Sequence, residues 1–128
     1  MKTTTLKLMM VALEVLLSIN AHAYDVQKNG IFYNVVTKIK EATVTSGDSK
    51  YKNKVIIPES FVYNGVEYSV TSIGEKAFYE CSGLTSITIP SSVTRIGNEA
   101  FFGCSGLTSV TIPNSVTFIE SLAFYKCI

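Results

Sequence analysis

A solenoid of 23-residue repeats, each a short strand plus a short helical turn and all preceded by a β-rich N-terminal cap, is the fold class this sequence predicts. Three observations predict it. The segment Ile73–Pro90 returns, nearly unchanged, as Ile96–Pro113 and begins a third time at Ile119. Within each copy a short stretch alternates polar and apolar residues and then meets a proline. Ahead of the copies lie two Asn-Gly pairs set among β-forming residues.

The repeat comes first, because self-similarity at a fixed period decides the whole architecture. Ile73/Ile96/Ile119, Ala77/Ala100/Ala123, Phe78/Phe101/Phe124 and Cys81/Cys104/Cys127 recur at steps of 23 residues, and so do Leu84/Leu107, Ile87/Val110, Ile89/Ile112, Pro90/Pro113 and Val93/Val116. Ser86-Ile87-Thr88-Ile89 alternates, as a strand with one buried face does. Pro90 ends it, since proline donates nothing to a ladder. Ala77, Phe78 and Cys81 are spaced to share one side of a short helical turn, and Gly83 and Gly106 are placed to turn the chain sharply back into the strand. One such unit cannot bury its apolar side alone; coils stacked at a strand spacing of about 4.8 Å cover one another with like residues. The repeats are expected at 73–95 and 96–118, with a partial copy at 119–128.

Residues 24–72 read as the cap. Lys28-Asn29-Gly30-Ile31 and Tyr63-Asn64-Gly65-Val66 predict two hairpins, because a type I′ turn requires two positive φ angles. Thr43-Val44-Thr45 and Val55-Ile56-Ile57-Pro58 predict further strands, and the second resembles the strand end Thr88-Ile89-Pro90.

Residues 1–23 have the pattern of a cleaved signal peptide: Lys2 and Lys7, an apolar run from Leu8 to Ile19 interrupted by Glu14, and the small-x-small site Ala21-His22-Ala23. The mature chain then begins at Tyr24 and is secreted or cell-surface. The competing readings are an amphipathic helix on the domain and an uncleaved anchor, although a span needs about 20 apolar residues. Cleavage leaves nine basic and nine acidic residues, hence no net charge and no electrostatic case for nucleic acid or an anionic membrane. It also removes His22, the one histidine of the chain.

The pattern I-G-x-x-A-F-x-x-C-S-G-L-T-S-[IV]-T-I-P over residues 73–128 resembles the BspA-type leucine-rich-repeat family of bacterial surface proteins. The resemblance implies a leucine-rich-repeat solenoid on a secreted or cell-surface protein. For some members it also implies adhesion to host matrix proteins or to other cells; the partner expected here is a host extracellular or cell-surface protein, a glycan or a neighbouring cell. It carries over no catalytic residue.

The residues themselves disfavour catalysis. Serine or cysteine nucleophiles need a nearby base, and the mature chain has no histidine. Glu75, Glu80, Glu99 and Glu120 recur around the turns, where a solvated face explains them. No metal site or cofactor is expected: Cys81, Cys104 and Cys127 lack the paired Cys-x-x-Cys spacing. They read as free, buried thiols, with a disulfide between stacked neighbours as the competing arrangement. Lys50, Lys52 and Lys54 alternate and are expected on one face of a strand edge. The outward rows Ser86/Ser109 and Thr88/Thr111 make a flat, uncharged hydroxyl ladder. They are the candidate ligand-binding residues, weighed against a merely solvated strand face. Residues 107–113 are expected to be an exposed edge, prone to edge-to-edge self-association. The function classes that remain are an adhesive binding module and, as the alternative, a structural spacer or fragment of a longer repeat protein.

Overall fold

The computed structural model describes residues 24–128, so the signal-peptide assignment lies outside the described residues. Nine strands are present: β1 (Val26–Lys28), β2 (Ile31–Val36), β3 (Glu41–Thr45), β4 (Asn53–Ile56), β5 (Ser60–Tyr63), β6 (Val66–Ile73), β7 (Leu84–Thr88), β8 (Arg95–Ile96) and β9 (Phe118–Ile119). One sheet runs β1-β2-β3-β6-β8-β9, with β5 paired to β6; a second holds β4 and β7. The two Asn-Gly pairs turn the β1–β2 and β5–β6 hairpins, with φ of 51° and 81° at Asn29 and Gly30 and of 51° and 76° at Asn64 and Gly65. These are the positive angles that a type I′ turn needs.

Parallel pairing builds the solenoid. Val44 of β3, Ile73 of β6, Ile96 of β8 and Ile119 of β9 align in one row, and Val55 of β4 aligns with Ile87 of β7. The second half of the cap thus forms a rung in register with the repeats. Its filler is Tyr51, whose ring packs 4.5 Å from that of Phe78. The stack continues with Phe78–Phe101 at 4.9 Å and Phe101–Phe124 at 5.1 Å, their planes 6° and 4° from parallel. The Tyr51 hydroxyl donates to the Thr45 carbonyl at 2.6 Å and accepts from the Phe32 amide at 3.0 Å. A buried phenol is therefore satisfied while its ring serves as one more member of the phenylalanine column.

Three expectations about the repeat need correction. No helix occurs among the described residues; segment 74–80 is a run of tight turns. Lys76 and Glu80 take φ of 56° and 53°, and Glu99 repeats this at 55°. Alternate amides leave the segment altogether. Those of Lys76, Phe78 and Glu80 donate to Asn98, Ala100 and Phe102 of the next coil, and those of Glu99, Phe101 and Gly103 donate to Ser121, Ala123 and Tyr125. An α-helix would use these donors internally. Here they tie coil to coil. Ala77, Phe78 and Cys81 still share the buried side.

The second correction concerns the glycines. Neither Gly83 nor Gly106 has positive φ. Gly106 is required by proximity: a Cβ there would lie 2.6 Å from the Ser82 carbonyl oxygen and 3.0 Å from that of Leu84. The left-handed corners fall instead on residues such as Lys76, Glu80 and Glu99.

The strand expected over 107–113 is reduced to a single bridge between Thr88 and Thr111. Leu107 is buried, but Val110 and Ile112 are only half-buried. Phe118 and, in the partial third copy, Ile119, Leu122 and Tyr125 are about half exposed, at 53, 47, 50 and 52 %.

Candidate binding face

The two-stranded sheet of β4 and β7, here called the inner sheet, sets the geometry. Val55 and Ile87 point into the core, so the alternate positions face outward. The register places Lys54 beside Ser86 and Ile56 beside Thr88, and the Thr88–Thr111 bridge carries the row to the next coil. Ser86, Thr88, Ser109 and Thr111 all line one open groove, together with Pro113. Ser86 is half-buried and the other three are exposed. The structure therefore brings all four candidate residues together.

The chemistry of this face is that of hydroxyl groups. Each can donate and accept, and no charged residue lines the groove. The sequence has no histidine beyond His22, and no carboxylate lines the groove. Among the described residues no three metal-ligating side chains gather.

Ile56, 58 % exposed, extends this face in a way that sequence reading missed. The three alternating lysines also behave differently from expectation. Only Lys54 lies within β4, because Asn53 adopts φ of 63° and breaks the alternation just before it. The Lys50 ammonium donates to the Tyr79 carbonyl at 2.6 Å. In the coils that follow, the equivalent carbonyls of Phe102 and Tyr125 accept backbone amides of the preceding coil. Lys50 thus supplies to the first repeat the donor that a preceding repeat would have supplied.

Glu75 and Glu80 are exposed, as expected, whereas Glu99 and Glu120 are half-buried: Glu120 pairs with Arg95 at 2.8 Å and Glu99 with Lys76 at 3.7 Å, each pair bridging adjacent coils. An outer aromatic row, Tyr79–Phe102–Tyr125, stacks at 5.0 and 5.5 Å.

The three cysteines are free. The Cys104 thiol donates to the Phe78 carbonyl at 3.0 Å and the Cys127 thiol to that of Phe101 at 2.9 Å. Burial pushes the Cys104 thiol up to about 12 and raises Cys81 and Cys127 as well. In the unfolded chain such thiols ionise near pH 8.5. The unfolded state therefore binds fewer protons above that pH, and stability should be intact below it and fall as pH rises toward 12. Under native conditions at pH 8, a thiol reagent is expected to modify Cys127 at least about tenfold faster than Cys81 or Cys104, because the latter two are closed off by packing. Peptide mass mapping reads the order; simultaneous labelling of all three would refute the packing described.

A solved leucine-rich-repeat protein from Bacteroides capillosus is 35 % identical to the chain, covers 77 % of it and 72 % of its own length, and superposes with a TM-score of 0.68. The family pattern described as the BspA type leucine rich repeat region matches residues 71–128. The chain belongs to the BspA-type leucine-rich-repeat family. Its fold is also similar to that of a leucine-rich repeat protein from Bacteroides ovatus, at 36 % identity over 81 % of this chain with a TM-score of 0.75. A leucine rich cell surface protein from Faecalibacterium prausnitzii matches 80 % of this BspA-type chain at 27 % identity and a TM-score of 0.57. The chain spans only 27 % of the Bacteroides ovatus protein and 34 % of the Faecalibacterium prausnitzii protein. No curated protein matches it.

Proposed function

We infer that this chain is a non-catalytic extracellular binding module, contacting a host or neighbouring-cell protein or glycan through the face formed by Ser86, Thr88, Ser109 and Thr111. The observation that carries this reading is the convergence of the four hydroxyls on one open groove free of charged side chains. Repeat proteins use such extended sheet surfaces for binding. The description of the Faecalibacterium prausnitzii relative as a cell surface protein supports an extracellular place for this one. Export through a signal at residues 1–23, with cleavage near Ala23-Tyr24, belongs to the same proposal and is checked by the intact mass of the exported chain.

The test is a bead-displayed chain offered to a panel of extracellular matrix proteins and cell-surface glycans. Capture of at least one is expected, with about tenfold weaker binding by the Thr88→Arg/Thr111→Arg variant and an unchanged urea midpoint. Undiminished capture by that variant would place the contact elsewhere. A chain that captures nothing would be a structural spacer or a fragment of a longer repeat protein, the chain spanning only a small share of its longer relatives.

A further inference from the structure

The opposite edge of the inner sheet carries a second surface. β4 is the terminal strand of its sheet, and among the described residues only β7 pairs with it. The amides of Asn53 and Ile57 donate to Gly83 and Thr88. Since backbone groups alternate in direction along a strand, counting back from Ile57 the groups of Ile56 and Lys54 point away from β7. They point into a cleft between β4 and the β1–β2 turn, whose lining includes Asn29, Gly30, Ser49, Lys52, Lys54 and Ile56. Lys52, Lys54 and Ile56 are exposed, and no carboxylate lines the cleft.

We propose that this edge of β4 takes up an extended acidic peptide as an added strand. Three separate features meet here. The backbone of Lys54 and Ile56 offers ladder hydrogen bonds, which supply affinity in strand addition. Ile56 offers an apolar contact on one side of the strand. Lys52 and Lys54 favour carboxylates and, as edge lysines do, discourage pairing with strands that lack them. The partner's chemistry follows: alternating acidic and apolar side chains on an extended backbone. Lys54 and Ile56 also border Ser86 and Thr88, so the two readings are told apart by readouts specific to the strand edge: exchange at the Lys54 and Ile56 amides and loss of binding on methylating the peptide amides.

The probe is a short labelled peptide alternating glutamate and valine, titrated against the full chain by fluorescence anisotropy, with amide hydrogen exchange as a second readout. Saturable binding is expected, with slowed exchange at Lys54 and Ile56. K52E/K54E should weaken it at least about tenfold. K52Q/K54Q should weaken it less, and both variants should keep the parent urea midpoint. Methylating alternate peptide amides should abolish binding. Three outcomes would overturn the proposal: no binding, equal binding of the methylated peptide, or equally tight binding of a sulfated oligosaccharide, which would reveal an anion patch rather than a strand edge.

Discussion

Phe101→Ala is expected to destabilise the chain by about 3–5 kcal/mol, the range for truncating a fully buried phenylalanine. Phe101 is 0 % exposed and lies between two rings, Phe78 and Phe124, at 4.9 and 5.1 Å. Truncation removes both stacking contacts at once and opens a void in a column that runs from the cap to the last coil. The void has little means of closing. The flanking backbone is held by the Phe101 amide on Ala123 and by the Cys127 thiol on the Phe101 carbonyl. Thr88→Ala, on the exposed side of the inner sheet, should change stability by less than about 0.5 kcal/mol. Urea unfolding of the two variants reads both values, and similar midpoints would mean that the inner and outer sides have been reversed.

Gly106→Ala should cost about 1–3 kcal/mol, as overpacking a tight contact does. The added methyl group would lie 2.6 and 3.0 Å from two carbonyl oxygens of the preceding coil, and backbone cannot rotate aside as a side chain can. Gly83 is the equivalent residue one repeat earlier, yet a Cβ there meets only the Lys52 side chain, at 3.3 Å. Gly83→Ala should therefore be nearly neutral, since neither glycine has positive φ and alanine restricts the unfolded chain. Two identical substitutions at matched positions of the repeat should differ clearly in thermal midpoint. Equal effects would show that the coils are not seated as closely as described.

That contrast also marks how much could be read in advance. The period, the isoleucine, alanine, phenylalanine and cysteine columns and the two Asn-Gly turns were legible, because each depends on local spacing or on the φ that one residue tolerates. The four hydroxyl residues followed from strand alternation alone. The turns of segment 74–80 were not legible as such: Ala77, Phe78 and Cys81 suit one side of a helix as well as a run of turns. The choice is made by amides that find acceptors a whole coil away. Tyr51 escaped for a similar reason. It precedes Phe78 by 27 residues, not 23, and joins the column only because its hydroxyl finds the Thr45 carbonyl and the Phe32 amide. Lys50 gave no sign of its place under Tyr79, since a lysine that replaces a backbone donor leaves no periodic trace.

The one-way donation of amides in the turns gives the stack a heading. Lys76, Phe78 and Glu80 give their N–H groups forward, Glu99, Phe101 and Gly103 do the same, and the matching positions of the last coil are Leu122, Phe124 and Lys126. A body seated squarely on that coil has to arrive acceptor side first, presenting carbonyls at the pitch of another coil. Two copies brought together tail to tail by a two-fold axis would set donor against donor along this row. A surface of the opposite polarity can engage that row along its whole length.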